Sequence, residues 1–501
     1  MSAVHRSIFF SAAERYGGFA LSVVSTAVMA RLLTPEEFGI FAVISAIVVV
    51  ITAFFQEFGG ANYLIQKTSL SMRNIRTAFT ITFCLSSMIG VVLFATAGEF
   101  ANLFRQEALK GGIAVIALNF ALTPISVTVS ALFRRNMEFG KLTVCNLAAN
   151  FIAVTVSIAL AFLGYSYLAP IWGMVAGNIA LSTFLIVAWG NPTIFRPSLS
   201  GYRNVMSFGL YSSGVSVING FYNLSPQLFL ARILDFAAVG FYSRAVGATQ
   251  VFDKLVGQVL GPVIMPAIFA QIKAGGDLKR IYLDALSLLS VVHWPFLSFM
   301  AAMAHPIILI WLGSTWLDVV PLIQILCVAN LFLFAACLTY PVLVAVGSVR
   351  DAMISSAISL PPSLLLVFAA SFFGIKAVAA ASLLTLPFQA AVAIFFIKRH
   401  LNFSLPDFLQ ATWKSGVVTL VSIVGPLLCA VMIEVSLLRP VVGLVLACLS
   451  AGAGWCATLV LTEHPLLSRL RFAAKDLAIT IPPPFVSVAK IKPARSGSDA
   501  Q

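Results

Sequence analysis

The stretch ARLLTPEEFGIF, from Ala30 to Phe41, returns 201 residues later as ARILDFAAVGFY, from Ala231 to Tyr242. Ala, Arg, Leu and Gly recur at matching places, and Leu32/Ile233 and Phe41/Tyr242 are conservative exchanges. Twelve residues can coincide, so the flanks decide. Ahead of the first copy, Ser11, Arg15, Gly18, Ser22 and Thr26 fall four, three, four and four residues apart, which holds them near one face of a helix. At the same offset, Ser212, Ser216, Asn219, Asn223 and Gln227 precede the second copy. Two apolar segments with polar stripes in the same phase make the repeat genuine.

Of the 501 residues, 60% are hydrophobic and 10% charged, with a mean hydropathy of +0.99. A soluble core of that size would need far more polar cover than 18 acids and 31 bases supply. The bilayer is the natural solvent. A spanning helix needs about 20 mostly apolar residues. Fourteen such segments are expected, at 10–31, 39–58, 78–98, 111–133, 142–163, 168–189, 204–230, 239–266, 281–303, 317–345, 352–373, 375–397, 413–434 and 439–461. The expected fold is an all-α integral membrane protein. Residues 1–200 and 201–400 form two six-helix lobes, 401–463 an extra helix pair, and 464–501 a polar, disordered tail. No cleavable signal peptide is expected, because Ser11, Glu14 and Arg15 interrupt any apolar leader.

Six helices separate the first element from the seventh, so both copies enter the membrane in the same direction. That is a parallel repeat, and its ligand site is expected between the halves. Twenty-two of the bases fall on one set of alternate loops and the tail, six on the other set and three inside helices. The bias places both termini in the cytoplasm. It also accounts for the +13 charge through anionic lipid rather than nucleic acid. The doubled phrase then lies at outer loops, as a pair of hinge points rather than binding motifs.

Intramembrane ionisable groups are costly and usually face a cavity or a partner. The three bases inside helices are Arg15, with Glu14 beside it, Arg244, and Lys254, with Asp253 beside it. Where the second half carries Arg244 and Lys254, the first has Val43 and Ala53. With the amides Asn219, Asn223 and Gln227, the three cations describe a polar, cationic cavity suited to an anionic cargo. Glu14 and Asp253 are the candidates for ion coupling. Were the cargo to carry a hydrocarbon tail, the tail could stay in lipid while the head crosses inside. No catalytic motif is present, and the short outer loops leave no room for hydrolysis or glycosyl transfer. The seven cysteines and five histidines form no metal-ligating or disulfide spacing, so neither metal nor cofactor is expected.

RLLTPEEFGIFA (31–42) followed by FGGANYLIQ (58–66) resembles the opening of polysaccharide-unit transporters. These are the PST branch of the multidrug/oligosaccharidyl-lipid/polysaccharide exporter (MOP) superfamily. LTPISVTVSALFRRNMEF (122–139), ARILDFAAVGFYSRA (231–245), PAIFAQ (266–271) and WLDVVPLIQILC (316–327) follow in the family's order. The resemblance covers roughly residues 5–400. It implies a MATE-like fold and a flippase of the bacterial inner membrane, working by alternating access on an ion gradient. The implied cargo is undecaprenyl-pyrophosphate-linked oligosaccharide, moved from inner to outer leaflet for exopolysaccharide or lipopolysaccharide synthesis. Polysaccharide polymerase and chain-length machinery are the implied partners. The subgroup most resembled serves succinoglycan- or colanic-acid-type polymers. The cavity residues named above come from this chain and are not carried over from the family. Two rival readings are a multidrug/cation antiporter, which wants an acidic cavity, and a membrane polysaccharide polymerase, which wants a large catalytic outer loop.

Overall fold

The computed structural model describes residues 3–58, 61–66, 70–200, 220, 222–257, 277–336 and 338–469. All regular structure among them is helical. The first half holds α1 (Ala3–Leu32), α2 (Pro35–Phe58), α3 (Ala61–Gln66), α4 (Met72–Ala95), α5 (Ala97–Phe104), α6 (Ala108–Ala117), α7 (Asn119–Arg135), α8 (Phe139–Phe162) and α9 (Leu168–Trp189). The second holds α10 (222–233), α11 (Phe236–Thr249), α12 (Leu278–Ala302), α13 (Ala304–Trp311), α14 (Val319–Asn330), α15 (Thr339–Ala345), α16 (Val349–Ser371) and α17 (Ile375–Leu401). The pair α18 (Leu405–Glu434) and α19 (Pro440–Leu461) follows. Among the described residues, nine spans are long and apolar enough to cross a bilayer, which makes this a multi-pass membrane protein.

Both copies of the doubled phrase encode a helix start. Thr34 and Asp235, equivalent in the repeat, stand just before α2 and α11. Thr34 shares a capping box with Glu37, whose carboxylate accepts the Thr34 N–H at 2.7 Å. Asp235 caps α11 by accepting the Ala238 N–H at 2.6 Å. The two starts then pack on each other. A Cβ on Gly39 would fall 1.7 Å from the carbonyl oxygen of Phe236, and one on Gly240 would fall 2.0 Å from that of Pro35. Pro35 and Phe236 are themselves 201 residues apart. The contact is reciprocal, as a two-fold axis between the helices requires. The phrases are thus more than loop hinges: their glycines let two backbones touch. The largest apolar core surrounds this crossing and draws on both halves, with Trp316 wholly buried at its centre.

Two expected helices are broken. The segment expected at 111–133 divides into α6 and α7 at Leu118. Pro124 has no N–H for the Phe120 carbonyl, which instead accepts the Ser86 hydroxyl, while Asn178 donates to the Asn119 carbonyl at 3.2 Å. The segment expected at 317–345 divides into α14, a 3-10 turn (Leu333–Ala335) and α15. There the Leu331 carbonyl accepts the Trp294 indole N–H at 2.9 Å. Helix α5 also occupies part of the loop expected after residue 98. Of the seventh expected segment, 204–230, only residue 220 and residues 222–230 are described. The eighth, expected at 239–266, runs as α11 to Thr249 and then as a π turn, Asp253–Gly257.

The same proline device seats the last helix pair. Pro295 frees the Val291 carbonyl of α12, and Trp455 of α19 donates its indole N–H to it at 2.8 Å. Leucines on the far faces of α18 and α19, such as Leu420, Leu428 and Leu449, are exposed as lipid-facing side chains should be.

Candidate functional site

A cavity of about 370 Å³ lies beside the α2–α11 crossing. Its second-half wall is one face of α11 and its extension, Arg244, Gly247, Val251 and Lys254, spaced three, four and three. Its first-half wall is built by α1 through Gly18, Ser22, Ser25 and Thr26, and by α8 through Asn150 and Ser157. Phe38 and Phe41 of α2 and Pro170 and Met174 of α9 complete it. Among the described residues the charged liners are Arg244 and Lys254.

Arg244 is half-buried, with its guanidinium carbon 4.7 Å from the centroid of the Phe38 ring. That contact orients the cation across the two halves. Its Nε is buried and has no hydrogen-bond partner among the described residues. Lys254 sits in the π turn, and π turns frequently mark functional sites. The turn is tied to α1 through the Tyr16 hydroxyl, which donates to the Leu255 carbonyl at 3.3 Å.

Tryptophans cap the cavity at the end bearing the two phrases. Trp311, itself a liner, donates its indole N–H to the Val23 carbonyl at 3.1 Å, and Trp316 donates to the Ala30 carbonyl at 2.8 Å. Arg31, the arginine that the first phrase shares with the second, donates to the Ile310 carbonyl at 2.9 Å. The Trp316 ring also stands edge-on to Phe38 and Phe241, at 5.1 and 5.8 Å. Helix α1 is thereby bolted to the segment around α13.

The structure gathers some of the sequence-predicted residues and separates others. Arg244 and Lys254 share the cavity wall. Arg15 lies about a turn beyond Gly18 on the same face of α1, outside the set of liners, with Nη1 buried and unpartnered among the described residues. Glu14 points to α8, where Asn146 donates to it at 2.8 Å. Asp253 is exposed in the π turn. Asn223 is exposed and Gln227 half-buried on α10, and neither lines the cavity; Asn219 lies outside the described residues.

The stripe on α8 is absent from the sequence reading. Thr143, Asn146, Asn150 and Ser157 fall three, four and seven residues apart, one face turned to α1. That periodicity is present in the sequence but lies outside the flanks of the doubled phrase. Among the described residues, no group of three His, Cys, Asp or Glu could hold a metal ion.

Known proteins resemble the chain in sequence and in fold. The lipopolysaccharide biosynthesis protein WzxC of Escherichia coli is 25% identical over 316 residues, 62% of this chain and 63% of that protein, just under two thirds of its length. The succinoglycan biosynthesis transport protein ExoT of Rhizobium meliloti is 24% identical over 69% of each chain. The fold is that of the lipid II flippase MurJ in an inward closed conformation, with a TM-score of 0.72 and 14% identity over 92% of this chain and 100% of that one. The family profile described as polysaccharide biosynthesis protein matches residues 28–321. With more than half of its length inside that profile, the chain belongs to the polysaccharide biosynthesis protein family.

Proposed function

We propose that the protein is a non-enzymatic flippase that carries lipid-linked oligosaccharide units across the bacterial inner membrane. The observation that carries this reading is the cavity: capped at one end, cationic on one wall, and hydroxyl- and amide-bearing on the other. An undecaprenyl pyrophosphate head group needs its charge met as it leaves water, and Arg244 and Lys254 meet it, with Arg15 on the approach. The sugars need hydrogen-bonding groups, and the isoprenoid chain stays in lipid. The names of the relatives, which concern lipopolysaccharide and succinoglycan biosynthesis, support a cargo destined for surface polysaccharide.

The bias of basic residues along the sequence puts both termini in the cytoplasm and the tryptophan cap at the periplasmic end. In that orientation the conformation receives cargo from inside, and alternating access moves the two halves, 1–200 and 201–400, about the reciprocal glycine contact. Glu14, held by Asn146, and Asp253, beside Lys254, are the carboxylates available for coupling to an ion gradient. Polymerase and chain-length proteins would take up the delivered units. A cation antiporter fits poorly, since Arg244 and Lys254 repel cations.

Lipid analysis of a deletion strain tests the reading. Accumulation of undecaprenyl-linked repeat units on the cytoplasmic face is expected, and an unchanged lipid pool with normal surface polymer would overturn it.

A further inference from the structure

The α1 hydroxyls on the first-half wall of the cavity differ from many others in the bundle; Ser45, Thr128 and Thr339 are also unpartnered among the described residues but do not line the cavity. Serines and threonines within apolar helices commonly satisfy themselves by donating to the carbonyl four residues back. Thr80, Thr123, Thr155, Thr183 and Ser363 do so here, at 2.7–2.8 Å. Ser22, Ser25 and Thr26 do not, although all three belong to the uninterrupted α1. Each lines the cavity, and none has a hydrogen-bond partner among the described residues.

Asn150 behaves likewise. It is exposed midway along α8, lines the same cavity, and has no partner among the described residues, whereas Asn146, one turn earlier, is committed to Glu14. Its place depends on Gly18: a Cβ there would lie 3.3 Å from the Asn150 amide nitrogen. Four polar side chains on α1 and α8, with Ser22 and Asn150 exposed and Ser25 and Thr26 half-buried, thus have unfilled hydrogen-bonding capacity, all turned into one space. Such groups, uncommitted to the protein and facing a cavity, are open to hydrogen bonds from a ligand or from water.

We propose that Asn150, Ser22, Ser25 and Thr26 form a sugar-reading wall that sets which saccharide the protein accepts. This rests on the flippase reading above. The wall is neutral, and its hydroxyls and amide both donate and accept, which matches a polyol; charge recognition is left to Arg244 and Lys254 opposite. A cavity of about 370 Å³ is at the small end of those that enclose a drug-sized ligand, so it holds the sugar nearest the phosphate rather than a whole repeat unit. Specificity therefore resides in the first sugar and in the first half of the chain, while the second half binds the part common to all such cargoes.

Binding by the purified full chain to two probes separates the roles. One probe is undecaprenyl diphosphate; the other is the lipid-linked repeat unit extracted from a host lacking this gene. Asn150→Ala, and Ser22→Ala with Thr26→Ala, each weaken binding of the repeat unit by about tenfold, the worth of one or two hydrogen bonds, and leave undecaprenyl diphosphate unchanged. Gly18→Ala does the same by displacing the Asn150 amide without removing it, which guards against misfolding as the cause. Thr155→Ala, on a self-satisfied hydroxyl, changes neither. Equal loss for both probes, or no loss for either, overturns the sugar-reading wall. Failure of the unmodified chain to bind either probe overturns the flippase reading along with it.

Discussion

Gly39 and Gly240 stand in equivalent positions of the repeat, and each lies where the other half's backbone leaves no room for a side chain. Pro35 and Phe236 supply the opposing carbonyls, so the sequence offset of 201 is also a spatial symmetry. An alanine at either glycine must push α2 and α11 apart. Overpacking of this kind costs about 1–3 kcal/mol. Gly39→Ala and Gly240→Ala should each lower the thermal midpoint of the purified protein in detergent, by similar amounts. Gly98→Ala, with nothing within 4 Å of the added carbon, is the control. A control and variants that melt together would refute the contact.

Arg244 depends on Phe38 for its orientation, a contact worth roughly 0.5–2 kcal/mol. Phe38→Leu should reduce transport several-fold, and Arg244→Ala should abolish it. Arg244→Lys should also fail to restore it, since a compact ammonium lacks the planar face that lies on the ring. Polymer yield, normalised to protein level in the membrane, is the readout. Full activity in Arg244→Lys would show that charge alone suffices.

The tryptophan cap makes a prediction about access. Trp311→Phe and Trp316→Phe keep an aromatic ring but each lose an indole donor to α1, at 3.1 and 2.8 Å. A net hydrogen bond contributes about 1 kcal/mol, or roughly fivefold in an equilibrium between closed and open cap. A cysteine at Thr26 should then label several-fold faster with an impermeant reagent applied from the capped side. Unchanged labelling would mean that the cap is held by packing alone.

His464, just past α19, is 1% exposed and joins three elements. Its Nδ1 accepts the Leu466 N–H at 3.2 Å, and its Nε2 faces the hydroxyls of Ser287 and Ser415 at 3.2 and 3.3 Å. Burial, with the charge of Lys414 nearby, pushes it down to about 4 from 6.5. Between those values the unfolded segment binds a proton that the docked one does not, so the docked state loses ground as pH falls. Its contribution is complete above about pH 6.5 and is lost towards pH 4. Hydrogen exchange of residues 464–469, corrected for intrinsic rate, should accelerate across that window and be fast at every pH in His464→Ala. Exchange independent of pH would contradict the seat.

The fold was legible from residues 30–41 and 231–242 because a duplicated phrase carries register as well as composition. It identified α2 with α11 and pointed to Arg244 and Lys254 as second-half additions. Of the stripe ahead of the second copy, Asn223 and Gln227 do not line the cavity, while Asn150, on a helix with no part in the repeat, does. The breaks at Leu118 and Leu331 were hidden because hydropathy is blind to where a carbonyl is satisfied. They depend on partners far along the chain, Ser86 for Phe120 and Trp294 for Leu331. The contact of Gly39 with Phe236 was likewise beyond a hydropathy reading, though both glycines were in plain view.

Reconstituted transport addresses the central claim most directly. Vesicles containing the purified chain and the undecaprenyl-linked repeat unit in one leaflet should, under an imposed ion gradient, deliver the unit to the other leaflet, scored by access of a membrane-impermeant lectin or glycosidase. Vesicles with Arg244→Ala should behave as protein-free vesicles do. Translocation at the protein-free rate by the unmodified chain, with or without a gradient, would contradict the account.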